Sequence, residues 1–247
     1  MKKTILITGA AKRIGAGLAL KFAALNWNVI IHYNNSEIEA IELCEKINSN
    51  KNFTGIAKIF KADLRNETEI ISLFDFASKE FSQIDVLVNN AGVFPEKKSL
   101  TDIDSAFWNN VFDTNLRSQF LTSREFYKSI INDSKNAKNN SKIINFSSLG
   151  GLKIWDKKTP YNVSKSAVIQ LTMALARELA PLISVNCICP GVVRIDNDED
   201  IFIPETKIPM QRYATVEDIF ELVYFFATST NYITGQVVTV DGGLEFV

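Results

Sequence analysis

The 247-residue chain is long enough for one sizeable domain, and its 46% hydrophobic content can fill a core of that size. Its 27 Lys and Arg balance 28 Asp and Glu, so a net charge of −1 gives no electrostatic reason to expect nucleic acid or an anionic membrane as partner. Three cysteines, Cys44, Cys187 and Cys189, are too few for a disulfide framework and lack metal-ligand spacing. They read as buried small hydrophobes in a reducing compartment, and no metal is expected.

Met1-Lys2-Lys3 leads into only a short apolar run, neither a signal peptide nor a membrane span, so a cytoplasmic protein is expected. That run, Ile5-Leu6-Ile7-Thr8, reads as a buried parallel strand. From Ile14 the apolar residues take helical spacing at Leu18, Phe22 and Leu25, and Gly9, Gly15 and Gly17 read as the turn between strand and helix. A strand, a glycine turn and a helix in that order place backbone N–H groups and a positive dipole end at one spot, which suits a phosphate. No Gly-Lys-Ser/Thr follows, so this is not a P-loop. Gly9 and Gly15 are also too far apart for G-x-G-x-x-G, and the spacing alone leaves open a turn built only for tight packing.

Strand and helix signals then alternate. Val29–His32 reads as a second strand, Asn34-Asn35-Ser36 as a turn, and the next helix runs to about Asn48. Ile56–Phe60 reads as a third strand, followed by a helix capped by Asn66 with Ile70, Ile71, Phe74 and Ala77 inward. Asp85–Asn89 reads as the fourth strand. One long amphipathic segment is expected over about 104–132, with Phe107, Val111, Leu116, Phe120 and Phe126. Ser134–Ser141 reads as a polar surface loop and Lys142–Phe146 as the fifth strand. The spacing predicts a helix over 161–180 between Pro160 and Pro181. Ile183–Ile188 reads as the sixth strand, Thr215 as the cap of a helix through Ala227, and Gln236–Val240 as the last strand. The expected fold is α/β, a single-domain Rossmann-type doubly wound parallel sheet of about seven strands over residues 1–247, with an irregular substrate lid at about 192–212.

In such a sheet, ligands bind beyond the carboxyl ends of the strands, here Thr8-Gly9, His32, Asp63, Asn89, Ser148 and Pro190-Gly191. An NAD site usually carries an acid after the second strand. This chain has His32-Tyr33-Asn34-Asn35-Ser36, with no acid until Glu37, and Arg13 offers a cation suited to a 2′-phosphate. The expected cofactor is therefore NADP(H) in preference to NAD(H). Tyr161 and Lys165 lie one helical turn apart. A nearby ammonium is expected to lower the tyrosine's pKa from about 10, fitting it to give a proton to a carbonyl oxygen.

Thr8-Gly9-x5-Gly15, Asn89-Asn90-Ala91-Gly92, Asn115, Ser148, Tyr161-x3-Lys165 and Pro190-Gly191 together resemble the short-chain dehydrogenase/reductase family. The resemblance spans essentially the whole chain, through Tyr232-Ile233-Thr234-Gly235 and Val240-Asp241-Gly242-Gly243. It implies Tyr161 as acid/base, Lys165 holding the nicotinamide ribose, Ser148 on the substrate oxygen and Asn115 holding a water of the proton relay. It implies Asp63 at the adenine amino group, Asn89 beside the adenosine, and Gly9, Arg13, Ile14, Gly15, His32, Tyr33, Asn34, Ser36, Leu64, Ala91, Gly92, Pro190 and Gly191 around the cofactor. Arg13 stands where the family usually has its middle glycine. With His32, Tyr33 and Ser36, that version is similar to the NADPH-dependent pteridine reductase branch, and Phe94 matches the position at which that branch stacks a pterin. Ser148, where that branch commonly has Asp, is the choice of ordinary carbonyl reducers.

The leading expectation is an NADPH-dependent reductase of a ketone or 3-oxoacyl thioester. The alternatives are pterin or dihydrofolate reduction on the same scaffold, and a catalytically idle NADPH-binding sensor or scaffold. The expected partner is a small-molecule substrate, with no nucleic acid and no membrane. The apolar helix around Phe220, Phe225 and Phe226, with the family habit, suggests a homotetramer, with a dimer next.

Overall fold

Every strand of the central sheet carries apolar side chains on successive positions, so both of its faces need covering. In the computed structural model, which describes residues 2–132, 140–195 and 203–247, helices cover both. The strands are β1 (Thr4–Ile7), β2 (Asn28–Tyr33), β3 (Ala57–Lys61), β4 (Val86–Asn89), β5 (Ser141–Phe146), β6 (Ile183–Pro190) and β7 (Val237–Val240). All pair in parallel, in the order β3-β2-β1-β4-β5-β6-β7. Chain direction across the sheet reverses between β1 and β4, which opens the ligand crevice of a doubly wound fold at their carboxyl ends.

Alternate residues divide between two cores. Ile5, Ile7, Val29, Ile31, Val86 and Val88 face one cluster with α1 (Arg13–Ala24), α2 (Glu37–Asn48) and α7 (Val216–Thr228). Leu6, Ile30, Leu87 and Ile143 face the other, with α3 (Glu67–Phe81), α5 (Ser118–Asn132) and α6 (Thr159–Glu178). The period of two in side-chain direction makes this division. Asn66 caps α3 by accepting from Thr68 N, and Thr215 with Asp218 forms a capping box on α7.

Several expectations change. Gly15 and Gly17 lie inside α1 rather than in the turn before it. Leu25 and Ile71 are exposed, and Leu73 takes the inward place on α3. The expected single helix over 104–132 is α4 (Ser105–Phe112), a π-helical turn at Asp113–Arg117, and then α5. Ser141 belongs to β5 and is buried, as is Lys142, whose ammonium donates to Ser229 O and Asn231 Oδ1. Phe220 and Phe226 are core residues, Phe220 edge-on to Phe22 at 5.4 Å, which leaves Phe225 as the exposed one of the three.

Residues 196–202 of the expected lid, and 133–139 of the expected loop, lie outside the described residues. The lid's two ends are joined by a bridge between Val193 and Ala214, and Ile208 packs against Leu149 and Leu244. No helix among the described residues is long and apolar enough to cross a membrane.

Candidate active site

The glycine turn is held by the sole histidine. Gly9 has φ +62, and its N–H donates to His32 Nδ1 at 3.0 Å, while His32 Nε2 lies 3.0 Å from Ala62 O. A carbonyl can only accept, so the proton sits on Nε2 and the ring bridges the ends of β1 and β3 as a neutral group. Burial lowers its pKa from 6.5 to about 4. His32, expected at the cofactor, therefore acts from beneath the turn.

A pH dependence follows. Between pH 6.5 and about 4 the unfolded chain takes up a proton that the folded chain refuses, so stability falls as pH falls through that window. The full loss amounts to about 3 kcal/mol, and above pH 6.5 His32 adds no slope. With one histidine in the chain, a 15N NMR titration is unambiguous. It is expected to show a neutral Nε2–H ring down to pH 5, and titration near 6.5 would contradict the bridge.

The turn runs directly into α1. Lys12 at the N-cap makes no side-chain cap, and the first turn of the helix holds no acid. Gly15 is packed so tightly that a Cβ there would lie 2.4 Å from Gly9 O and 2.8 Å from Asn90 Nδ2. Arg13 has φ +54, a left-handed conformation that suits glycine and strains a long side chain. This explains why a glycine is usual here, and it marks the arginine as a choice made against local backbone preference.

At the end of β2, Tyr33 is buried and its hydroxyl donates to Glu37 Oε1 at 3.3 Å. Asn34 and Ser36 are half-buried, and the Ser36 hydroxyl is not used to cap α2. Asp63 receives Arg65 through Nε at 2.9 Å and Nη2 at 2.6 Å, which holds its carboxyl below the usual range. Leu64 beside it is buried.

The end of β4 shows why two asparagines stand in a row. Asn89, the last strand residue, is fully buried. Its amide donates to Ser123 Oγ and Asn145 Oδ1 and accepts from Thr122 Oγ1, so that side chain braces the interior rather than lining the crevice. Asn90 points the opposite way and donates to Thr8 O and Gly9 O at 2.9 and 3.1 Å. Thr8 Oγ1 accepts from the N–H groups of Asn90 and Ala91. The two loops are thereby stapled: a Cβ on Gly9 would lie 3.0 Å from Ala91 Cα, and one on Gly92 would lie 3.1 Å from Asn115 Oδ1 and 3.4 Å from Lys165 Nζ. Glycine turn and lysine share one crevice, and Pro190 and Gly191 end β6 along the same sheet edge.

Asn115 sits in the π-helical turn, a local widening frequent at functional sites. Its Oδ1 accepts from Val93 N at 2.7 Å, and its Nδ2 donates to Val93 O at 3.0 Å and Ser164 Oγ at 3.3 Å. The Asn115 side chain is thus paired with the chain beside Gly92. Ser148 lies at the end of β5, where its hydroxyl accepts from Gly150 N at 3.0 Å and hydrogen-bonds Tyr161. Ser147 Oγ donates to Lys165 O at 2.6 Å, fixing α6 against β5.

The electrostatics of Tyr161 differ from expectation. Burial pushes the phenol up to about 12, with the Ser148 hydrogen bond acting in the opposite sense. Burial also brings the Lys165 ammonium down to about 8, and Nζ donates to Phe146 O at 2.9 Å rather than to the phenol. Both groups are pushed toward their neutral forms by the same removal from water. Phe94 stands edge-on to Tyr161 at 4.8 Å and 86°, with Lys158 Nζ 3.9 Å from its ring centroid.

Sequence reading missed Asn90, Arg65 and Lys158, and it missed Gln119, which donates from Nε2 to Asn115 O and Phe146 O. Period-two alternation at the strand end could have separated Asn89 from Asn90. Arg65 lies two residues from Asp63 and Gln119 four from Asn115, but the Phe146 contact of Gln119 and the Phe94 contact of Lys158 are distant in sequence.

Ser148, Tyr161, Lys165 and Asn115, gathered beside the glycine turn at the carboxyl edge of a doubly wound parallel sheet, define a dehydrogenase-like α/β protein. A family model described as Enoyl-(Acyl carrier protein) reductase matches residues 9–245. The 3-oxoacyl-[acyl-carrier-protein] reductase FabG of Buchnera aphidicola subsp. Baizongia pistaciae is 32% identical over 98% of this chain and 97% of its own. A 3-oxoacyl-[acyl-carrier-protein] reductase of Synechocystis is 32% identical over 97% and 95%. Among solved structures, ElxO with NADP bound superposes with a TM-score of 0.88 at 28% identity, covering 100% of both chains. The chain belongs to the short-chain dehydrogenase/reductase family and is an NAD(P)H-dependent oxidoreductase.

Proposed function

We propose that the protein is an NADPH-dependent reductase of a ketone or 3-oxoacyl thioester, with Tyr161 as the proton donor. The observation that carries this is the contact chain from Gly9 through Ala91 and Gly92 to Asn115 and Lys165, which supports a shared crevice for the glycine turn and the Tyr161/Lys165 pair. The two relatives named as 3-oxoacyl reductases support the substrate class.

The residues fit a dinucleotide: the first turn of α1 is uncapped and free of acids, and Gly15 leaves no room for a side chain above it. Backbone N–H groups at Arg13, Ile14 and Gly15 would hold its phosphates. Arg13 and Ser36 would hold a 2′-phosphate, with Tyr33 and Asn34 beside them, and Asp63, Leu64 and Ala91 would flank the adenosine. When bound, the cofactor supplies the hydride. The chain's own residues do the rest. Ser148 positions the carbonyl oxygen next to the phenol. Tyr161, protonated throughout the neutral range, holds the proton which that oxygen takes up. Lys165, cationic below about pH 8, stabilises the phenolate that forms.

Arg13→Gly separates the cofactor preference from the fold. Strain relief and added chain freedom, each about 1 kcal/mol, offset one another in stability. NADPH affinity is expected to fall about tenfold or more, the worth of one charge-assisted contact, with NADH nearly unchanged. Paired fluorescence titrations check this, and equal losses for both cofactors would remove Arg13 from the 2′-phosphate site.

One observation favours a second reading, reduction of a pterin or dihydrofolate: Phe94 is 48% exposed and stands edge-on to Tyr161, an exposed aromatic wall for a flat ring. An NADPH-oxidation screen with acetoacetyl-CoA, a diketone, biopterin and dihydrofolate decides. Turnover of the first two is expected. Turnover of pterins alone would move the assignment, and silence on all four would leave a binding protein. Exposed Phe225, Phe246 and Val247 support self-association, a homotetramer or else a dimer, which sedimentation measures.

A further inference from the structure

The fully buried floor beneath Lys165 contains one amide whose work is half accounted for. Gln119 is 2% exposed and is the second residue of α5, four residues after Asn115. Its Nε2 donates to Asn115 O and to Phe146 O, each at 3.1 Å. Phe146 O also receives Lys165 Nζ at 2.9 Å. The amide cannot be turned over, because Oε1 would then face two carbonyl oxygens. Its Oε1 is buried and has no donor among the described residues. A buried amide oxygen left so is costly, and interior waters ordinarily satisfy such atoms.

We propose that Gln119 is a positioning residue of the proton path: its N–H group locks the Asn115 and Phe146 carbonyls under Lys165, and its Oε1 anchors a buried water that returns protons to Lys165. This rests on the assignment of Tyr161 and Lys165 given above. The Asn115 side-chain amide is taken up by Val93 and Ser164, and Gln119 is a residue the sequence reading passed over. Protons balance along the path. Tyr161 gives its proton to the alkoxide oxygen, Lys165 restores the phenol, and the water restores Lys165 and is itself restored from solvent.

The titratable groups facing Lys165 are Cys187 and Cys189 on β6 and Tyr161 on its own helix. None of them carries a negative charge at neutral pH in its ordinary form. A carboxylate introduced at Gln119 would therefore be the one anion beside the ammonium among these groups.

Two variants and one structure test the proposal. A crystal structure of the wild type at about 1.8 Å or better is expected to show an ordered water within hydrogen-bonding distance of Gln119 Oε1. A dry Oε1, or one paired to a protein donor, overturns the water. With acetoacetyl-CoA and NADPH, Gln119→Leu is expected to lower kcat about tenfold, keep the NADPH Kd within twofold and move the alkaline limb of kcat to lower pH. Gln119→Glu, nearly the same shape, is expected to move that limb to higher pH. Opposite shifts from two substitutions at one site are not what lost packing produces. Unchanged limbs in whichever variant folds overturn the proton path. If Tyr161→Phe retains wild-type turnover, the assignment of Tyr161 is what has failed, and the crystallographic result still decides the water.

Discussion

Tyr161→Phe is expected to lower NADPH-dependent turnover by about 10³-fold, within the range that general acid catalysis contributes, while NADPH binds within about twofold of wild type. The substitution removes one oxygen from a ring that is otherwise held by packing. Phe94 meets that ring edge-on at 4.8 Å, and a Cβ on Gly150 would come within 2.8 Å of it. The ring therefore stays in place and only the proton is lost. Because burial raises the pKa of the phenol to about 12, the wild type presents an acid throughout the neutral range. The fall in kcat should therefore be uniform with pH, apart from the limb that Lys165 sets near 8. Single-turnover kinetics together with a binding titration separate the two effects. Retained turnover, or a matching loss of NADPH affinity, would exclude Tyr161 as the donor.

How far such effects were legible in the sequence depends on the range of the forces involved. The strands announce themselves because both faces of a parallel sheet are buried, so runs such as Val29-Ile30-Ile31 cannot belong to an exposed element. Thr215 and Pro160 mark helix starts through local chemistry alone. Tyr161 and Lys165 were readable as one face of a helix, but the direction of the phenol's shift was not. That direction turns on burial and on where Nζ points, and the Phe146 carbonyl that captures it comes from another strand. His32 was likewise readable as a strand end. Its role under Gly9 depends on Ala62, brought alongside by the pairing of β2 with β3. The π-helical turn at Asn115 breaks a segment whose apolar spacing reads as one helix. It is stabilised by an amide pairing with Val93 that no periodicity encodes.

The second large effect concerns a single methyl group. Gly15→Ala is expected to abolish measurable NADPH binding and to destabilise the free protein by about 2–3 kcal/mol, within the range of overpacking in a closed interior. Glycine at this position is not required by its own backbone angle, since Gly15 lies within α1 and, unlike Gly9, is not a positive-φ residue. What requires it is approach: the new Cβ would sit 2.4 Å from Gly9 O, 2.8 Å from Ala10 Cα and 2.8 Å from Asn90 Nδ2. Two of those three atoms are backbone, so no side-chain rotation relieves the contact. The strain must push the glycine turn away from α1 and from the Asn90 staple. Either movement pulls Gly9 N off His32 Nδ1 and misaligns the N–H groups that would meet a phosphate. Gly17→Ala is the control, because its nearest neighbours are the Val216 methyls at 2.4 and 3.1 Å, a side chain of α7 away from the turn. It is expected to cost comparable stability while NADPH still binds. Thermal melts with and without NADPH distinguish them: Gly17→Ala should keep a cofactor-induced rise in Tm that Gly15→Ala lacks, and a rise of equal size in both would show that the crevice lies elsewhere.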